Sequence, residues 1–261
     1  MIREKRTLKD LDLLDRFLFA EATEDTEILE IMLEIILGRE VVLEQMPQAE
    51  KEIRRTLWSK KVRLDVLGRD VNSELYNAEA QKEDTGALPK RSRYYNSMID
   101  SKLLEIGETD YNKLNNVTVI MISPFDLFGK GMFKYTFKMT CEQNPEIALG
   151  DGVTRIFLNT RGTDSSGCSE ELIELLHFIE NTDSETAAKA TSEKVRKIHE
   201  KVEAIKQSEE VGVRFMNAWE EKQMERQEEK KEIAKRLKAM GLTKEQIKEA
   251  TELSEEIIEK L

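Results

Sequence analysis

The stretch Val62–Gln81, VRLDVLGRDVNSELYNAEAQ, decides how this chain folds. Val62 to Leu67 alternates and is rich in branched residues, and Glu74 to Gln81 reads as a second strand. Arg69-Asp70-Val71-Asn72-Ser73 between them is turn-forming, so the two strands make an antiparallel hairpin. Successive side chains leave a strand on opposite faces. Glu79 and Gln81 therefore share one face, while Ala78 and Ala80 pack closely on the other. Asp65, on the neighbouring strand, is near enough to converge with them. Two carboxylates, the backbone carbonyl of Ala80 and water suit a hard cation such as Mg²⁺ or Mn²⁺. Such an ion binds a phosphate oxygen and acidifies an attacking water. The spacing D-x₁₃-E-x-Q is loose, however, and the same residues also fit a solvent-exposed edge hairpin with one polar face.

Outward from the hairpin, strands and helices alternate. Thr26 to Gly38 reads as a buried helix with Thr26 as cap, Gly38 as its left-handed end and Glu27, Glu30 and Glu34 as a polar stripe. Leu11 to Ala20 supplies another turn or two of helix. Pro89 starts a helix through Ser101 that carries Arg91, Arg93, Tyr94 and Tyr95. VTVIMIS (117–123) is a continuous apolar run, as in a strand covered on both faces. FKYTFKMTC (133–141) alternates, and TRIFLN (154–159) is a further short strand. Phe125, Phe128 and Phe133 flank a Gly-containing turn and read as local core. The result is an α/β domain with a mixed sheet flanked by helices. Beyond Glu170 strand patterns stop. Glu171 to Asn181 is a helix, Ser184 to Ala239 reads as long exposed helix, and a helical pair follows, about 230–240 and 243–261, split at Gly241 with Thr243 as cap. The expected division is 1–182, an α/β domain; 183–229, a charged helical arm; and 230–261, a small helical pair. The last helix is acidic, which argues against a DNA-reading role. Its apolar stripe (Leu242, Ile247, Leu253, Ile257, Ile258, Leu261) asks for a partner surface, pointing to a homo-oligomer or a docking contact.

The 261 residues are 39% hydrophobic and 36% charged, with a net charge of −11. There is no run of 18 apolar residues, so no membrane span is expected. The start, Met1 to Arg6, leads into acidic residues rather than an apolar segment, so no secretory leader is expected, and with the sparse cysteines a reducing, cytoplasmic location is expected. Two cysteines outside any CxxC pair and two histidines are too few for a Cys/His zinc site. Neither His177 nor His199 lies near the hairpin. The overall negative charge hides local positive clusters. Lys51, Arg54, Arg55, Lys60, Lys61, Arg63 and Arg69 face only Glu52 and Asp65, and Lys90, Arg91, Arg93 and Lys102 face only Asp100. Local potential governs phosphate binding. Lys60, Lys61, Arg63, Arg91 and Arg93 are the candidate nucleic-acid contacts, although solvated surface charge explains them as simply. Tyr95 reads as core and Arg93 as close to the site.

VRLDVLGRD (62–70), YNAEAQ (76–81), RSRYYNSMIDSKLLEIGETDYNKL (91–114), VTVIMISPFDLFGKG (117–131) and RIFLNTRG (155–162) together resemble the Rpn family, recombination-promoting nucleases and transposases of the PD-(D/E)XK superfamily. DRFLF (15–19) resembles that family's N-terminal motif, and LKAMGLTKEQIKEATELSEEII (237–258) its small C-terminal helical unit. The resemblance implies a restriction-endonuclease-like fold and a Mg²⁺- or Mn²⁺-dependent endodeoxyribonuclease, a hydrolase acting on DNA in recombination, mobile elements or defence. It assigns Asp65 and Glu79 as metal ligands and puts Gln81 where the wider signature has Lys. A glutamine orients water by hydrogen bonds but carries no charge. Lys82 should point to the other face, leaving Lys60, Lys61 or Arg93 to supply charge. The resemblance further implies an acid from the first helix, Asp15 by the DRFLF match or else Glu34, although Asp15 equally suits a helix cap. The competing reading is a weak or inactive DNA-binding or assembly protein that keeps the nuclease fold. A transposase moving its own element is less supported, since no separate integrase-type acidic triad is visible.

Overall fold

The computed structural model describes residues 7–44, 46–53, 62–104 and 107–261, with side chains described at all of these except 49–53, 62 and 63. The chain divides into two compact units, Met1–Gln207 and Ser208–Leu261.

In the first unit the helices are α1 (Arg16–Glu24), α2 (Thr26–Leu37), α3 (Leu88–Asp100), α4 (Glu170–Glu180), α5 (Ser184–Lys189) and α6 (Glu193–Gln207). The strands are β1 (Gln48–Ile53), β2 (Val62–Arg69), β3 (Leu75–Ala80), β4 (Val117–Ser123), β5 (Lys134–Phe137) and β6 (Val153–Asn159). They form one mixed sheet in the order β1-β2-β3-β4-β6-β5. Pairings β1/β2, β2/β3 and β5/β6 are antiparallel, whereas β3/β4 and β4/β6 are parallel. A parallel neighbour needs a crossover, and α3 provides it between β3 and β4. The α/β architecture with a mixed sheet is the one the sequence implies.

The edge-hairpin alternative fails, because β3 lies between β2 and β4 and is buried along its whole length. One face of the sheet packs on α3, where Leu75, Val117, Val119, Met121 and Phe157 meet Leu88, Met98 and Ile99. Tyr95 is partly buried against this cluster. On α2, Ile28, Leu29, Met32, Leu33 and Ile36 are all essentially inaccessible. Each such side chain contributes roughly 1.5–3 kcal/mol against the entropy of ordering. A Cβ on Gly68 would meet Leu29 and Leu43 at 3.3 Å, so β2 and α2 approach closely there. Phe128 packs against Tyr135, Phe137 and Phe157, in keeping with a local core around that turn.

Several expectations need correction. The cap of α2 is Asp25, whose carboxylate accepts from the Glu27 and Ile28 N–H groups, and Thr26 is the first helical residue. The first helix begins at Arg16 instead of Leu11 and runs to Glu24. Strand β5 stops at Phe137, where its pairing with β6 ends. Strand β1 was not expected: QAEKEI shows no apolar period, yet a charged sequence is what an edge strand uses to discourage further pairing. Ser184 to Ala239 is not one exposed helix. It breaks at Ala190–Ser192 and at Ser208, and α6 buries Val195, Ile198 and Val202. That stripe is hidden among lysines which pair with α2: Lys194 with Glu34, Lys197 with Glu27, and Lys201 with Asp25 and Glu27.

The second unit comprises α7 (Glu209–Ala239), α8 (Lys244–Thr251) and α9 (Glu255–Lys260). Thr243 caps α8 in a reciprocal capping box with Gln246, and Gly241 is left-handed, as read from the sequence. Glu252, also left-handed, splits the expected final helix in two. Ile247, Leu253 and Ile258 bury against Ala234, with Leu237, Leu242, Ile257 and Leu261 packed around them. The apolar stripe thus finds its partner surface within this unit, on the last turns of α7. That removes the premise from which self-association was inferred.

Candidate active site

The site forms where β2 and β3 part. Their register runs from Arg69↔Leu75 to Val66↔Ala78, and its continuation sets Asp65 opposite Glu79. Beyond Val66 side-chain carboxylates take over from ladder bonds. The Asp65 N–H donates to Glu79 Oε1 at 2.9 Å, and the Ala80 N–H donates to Asp65 Oδ2 at 3.2 Å. The two acids therefore lie together, each bridging to the other's strand. Asp65 is 3% exposed and Glu79 1%.

Burying two like charges side by side is costly unless a cation or a proton intervenes. Burial first, and the Asp65 carboxylate second, push the Glu79 carboxyl up to about 8. Hydrogen bonds from Asn77 and from the Asp65 backbone, together with Arg91, pull the other way without prevailing. The Asn77 Nδ2 group donates to Val66 O and to Glu79 Oε1, each at 3.0 Å. Its Oδ1 is buried with no donor among the described residues.

Two arginines reach the pair from different helices. Arg16 Nε on α1 sits 2.9 Å from Asp65 Oδ1, with its side chain 47% exposed. Arg91 Nη2 on α3 lies 3.9 Å from Glu79 Oε2 and donates to Gln81 Oε1 at 2.6 Å. The Gln81 amide nitrogen in turn donates to the Glu83 carbonyl at 2.9 Å. Tyr95 closes this corner, its ring centroid 5.5 Å from the Arg91 guanidinium carbon. Burial, and then the Glu79 charge, raise the Tyr95 phenol to about 12.

The structure sorts the remaining candidates. Asp15 holds the N-cap position of α1 without a side-chain capping bond; its Oδ2 accepts from the Asp12 N–H at 3.0 Å and pairs with Lys82 Nζ at 2.7 Å. Lys82, expected on the opposite face from Gln81, follows the end of β3 at Ala80 and pairs with Asp15 at the start of α1. Glu34 is ion-paired with Lys194 on α6 and is not brought to Asp65 and Glu79. Arg93 is exposed: two residues along a helix is about 200° of rotation, so Arg91 faces the carboxylates and Arg93 faces away. Lys60 and Lys61 lie outside the described residues, as does the side chain of Arg63. His177 and His199 stack edge-on against Phe133 and Phe178, and serve packing.

Sequence reasoning missed Arg16, Asn77 and Asp70. Asp70 is fully buried and organises the β2–β3 turn, with Oδ1 accepting from the Asn72 and Glu74 N–H groups at 2.9 and 2.8 Å and Oδ2 from the Tyr76 hydroxyl at 2.7 Å. The signal for Asp70 and Asn77 was their place on a sheet too buried to leave a polar group unpaired.

Among the described residues no three His, Cys, Asp or Glu side chains converge on one point. The donor set is therefore unsuited to an all-protein zinc or calcium cage. Two carboxylates, with a buried amide oxygen to spare beside them, do fit a Mg²⁺-like ion that keeps several waters.

A family model described as PD-(D/E)XK nuclease family transposase matches residues 10–234. No curated protein and no solved structure matches the chain.

Proposed function

The chain belongs to the PD-(D/E)XK nuclease family of transposases, and from that premise we propose a divalent-metal-dependent endonuclease that hydrolyses phosphodiester bonds in DNA during recombination, element mobility or defence. The observation that carries this reading is the buried pair of Asp65 and Glu79 carboxyl groups on neighbouring strands, with Asn77 Oδ1 beside it lacking a donor among the described residues. Asp65, Glu79 and the Ala80 carbonyl would hold Mg²⁺ or Mn²⁺. When bound, the ion supplies Lewis acidity toward a phosphate oxygen and a more acidic water. The protein's own part is to fix the two carboxylates through reciprocal backbone bonds, so that little reorganisation accompanies the reaction. Arg91 faces the phosphate at the lip of the site. Lys60, Lys61 and Arg63 remain candidate contacts to the flanking backbone, which position DNA without reading its sequence.

Arg16 must leave Asp65 Oδ1 for an ion to use that oxygen, and its half-exposed side chain lets it do so. A partly exposed ion pair is worth about 0.2–1 kcal/mol. Arg16→Ala is therefore expected to lower the Mg²⁺ concentration for half-maximal activity by about two- to fivefold. A titration showing weaker Mg²⁺ use in that variant would contradict the competition.

A second reading has its own support. Arg16 already pairs with Asp65, Arg91 stands near Glu79, and Gln81 brings no charge, as expected of a DNA-binding protein that has lost its chemistry. Supercoiled plasmid incubated with the full chain in Mg²⁺, Mn²⁺, Ca²⁺ or EDTA separates the two. The endonuclease reading expects nicked and linear DNA in Mg²⁺ or Mn²⁺ and none in EDTA. DNA retention without cleavage in every metal would establish the binding protein instead, and cleavage that persists in EDTA would refute the metal-dependent route.

A further inference from the structure

Gln81 does not behave as a free water-orienting amide. Its nitrogen is tied to the Glu83 carbonyl at 2.9 Å, and its oxygen holds Arg91 Nη2 at 2.6 Å. The same Nη2 lies 3.9 Å from Glu79 Oε2, so the guanidinium stands at the edge of the carboxylate pair. Arg91 is anchored at the first turn of α3, where its N–H bonds to the Ala87 carbonyl, and its guanidinium lies over Tyr95. Its Nε is buried and has no acceptor among the described residues. A buried donor left open beside two acids calls for an acceptor that arrives with the ligand.

The two nearby arginines are not equivalent. Arg16 is paired with Asp65, a carboxylate that would hold the proposed ion, and would have to give way to it. Arg91 is held chiefly by a neutral amide, and that hold would remain if Glu79 held an ion. Lys82 is committed to Asp15. Among the described residues Arg91 is thus the cation positioned to stay at the site throughout a reaction.

We propose that Gln81 and Arg91 act as one unit, with Arg91 the catalytic cation that neutralises charge on the scissile phosphate and Gln81 the positioning residue that aims it. This rests on the endonuclease reading above. In the step concerned, a water oxygen bonds to phosphorus and the P–O bond to the leaving sugar oxygen breaks. The leaving oxygen keeps the electron pair and takes a proton from solvent, while the water's proton passes to solvent. Arg91 remains protonated, its Nε and Nη2 donors facing the non-bridging oxygens, whose charge rises most as the phosphorus crowds.

The test uses the full chain, supercoiled plasmid and saturating Mg²⁺, with kcat and KM for DNA measured alongside thermal unfolding. Arg91→Ala is expected to lower kcat on the order of 10²–10³-fold with KM changed less than about threefold, the size of effect when one transition-state donor is lost. Gln81→Ala is expected to lower kcat by about tenfold through misplacement of Arg91. In the Arg91→Ala background, Gln81→Lys is expected to restore about tenfold, because an ammonium from position 81 reaches the same edge of the pair; a merely structural role for either residue predicts no such rescue. If Arg91→Ala does not fold, Gln81→Ala and Gln81→Lys carry the test, with the lysine variant the faster of the two. A folded Arg91→Ala protein within threefold of wild-type kcat, a loss confined to KM, or absence of rescue would each overturn the unit. Failure of the wild-type chain to cleave in any metal would instead strike the endonuclease reading itself.

Discussion

Glu79→Gln is expected to abolish metal-dependent cleavage, by on the order of 10³-fold or more, and at the same time to make the metal-free protein more stable at alkaline pH. The loss follows because an amide oxygen is a far weaker ligand for a hard cation than a carboxylate, and about 4 kcal/mol of barrier separates rates by that factor. The gain follows from the environment of Glu79. Its carboxyl titrates at about 8 in the fold, against an ordinary value of 4.5, chiefly because it is buried and then because Asp65 lies beside it. The folded chain thus binds this proton more tightly than the unfolded chain does. Stability contributed by the protonated form is fully present below the unfolded value, declines as pH rises between the two, and is gone above about 8. Glutamine is neutral at every pH and keeps an oxygen for the Asn77 and Asp65 donors. At pH 5 the variant and wild type should unfold at similar temperatures. At pH 8.5 the variant should be the more stable, by on the order of 2 kcal/mol or several degrees. Saturating Mg²⁺ should close or reverse that gap, since only the wild type gains from the ion. Thermal unfolding across pH with and without Mg²⁺ checks all three parts; a variant less stable than wild type at pH 8.5 without metal would refute the account of the pair. Asp65→Asn is expected to lose activity on the same scale.

Asp70→Ala is expected to be the most damaging single change outside the hydrophobic core. Three donors, the Asn72 and Glu74 N–H groups and the Tyr76 hydroxyl, converge on this one fully buried carboxylate, with Arg39 Nη1 at 3.9 Å. Burial and hydrogen bonding to Asp70 raise the Tyr76 phenol far above its ordinary value, so it remains a donor. Removing the acceptor strands those groups and is expected to cost about 3–5 kcal/mol. For a chain of this size that lowers Tm by roughly 6–20 °C. The functional consequence exceeds the stability loss. The turn at Asp70, in which Ser73 is held left-handed at a φ of 62°, sets the register that places Asp65 opposite Glu79. A one-residue slip would send one of the two acids to the other face. Activity at 20 °C, well below the variant's Tm, should therefore fall by more than the folded fraction does. Tyr76→Phe, which deletes one donor and leaves the two backbone bonds, should cost only about 1–2 kcal/mol and retain most activity. An Asp70→Ala protein with a Tm within 2 °C of wild type would show that the turn is set elsewhere.

The hairpin, the buried helix at Thr26–Leu37 and the continuous strand at Val117–Ser123 were legible because periodicity, branched residues and turn chemistry agree there. Strand β1 was not, since QAEKEI carries no apolar period, and neither was the buried stripe of α6, which a charged composition masks. The pairing of Asp65 with Glu79 could be anticipated from alternation along two adjoining strands. The arrival of Arg16 and the return of Lys82 to Asp15 could not, because each joins residues more than 45 positions apart. Arg91 and Arg93 looked interchangeable in a basic cluster, and only the rotation of α3 on the sheet separates them.

What the sequence alone determined is the set of chemical groups and their local order: two acids on adjoining strands, an amide two residues beyond the second, and arginines on a helix entered through proline. What only the tertiary structure decided is the charge balance at that point. Local periodicity fixes which face of its own element a side chain takes, but electrostatic energy depends on distances between elements, and those are set by how α1 and α3 pack against the sheet.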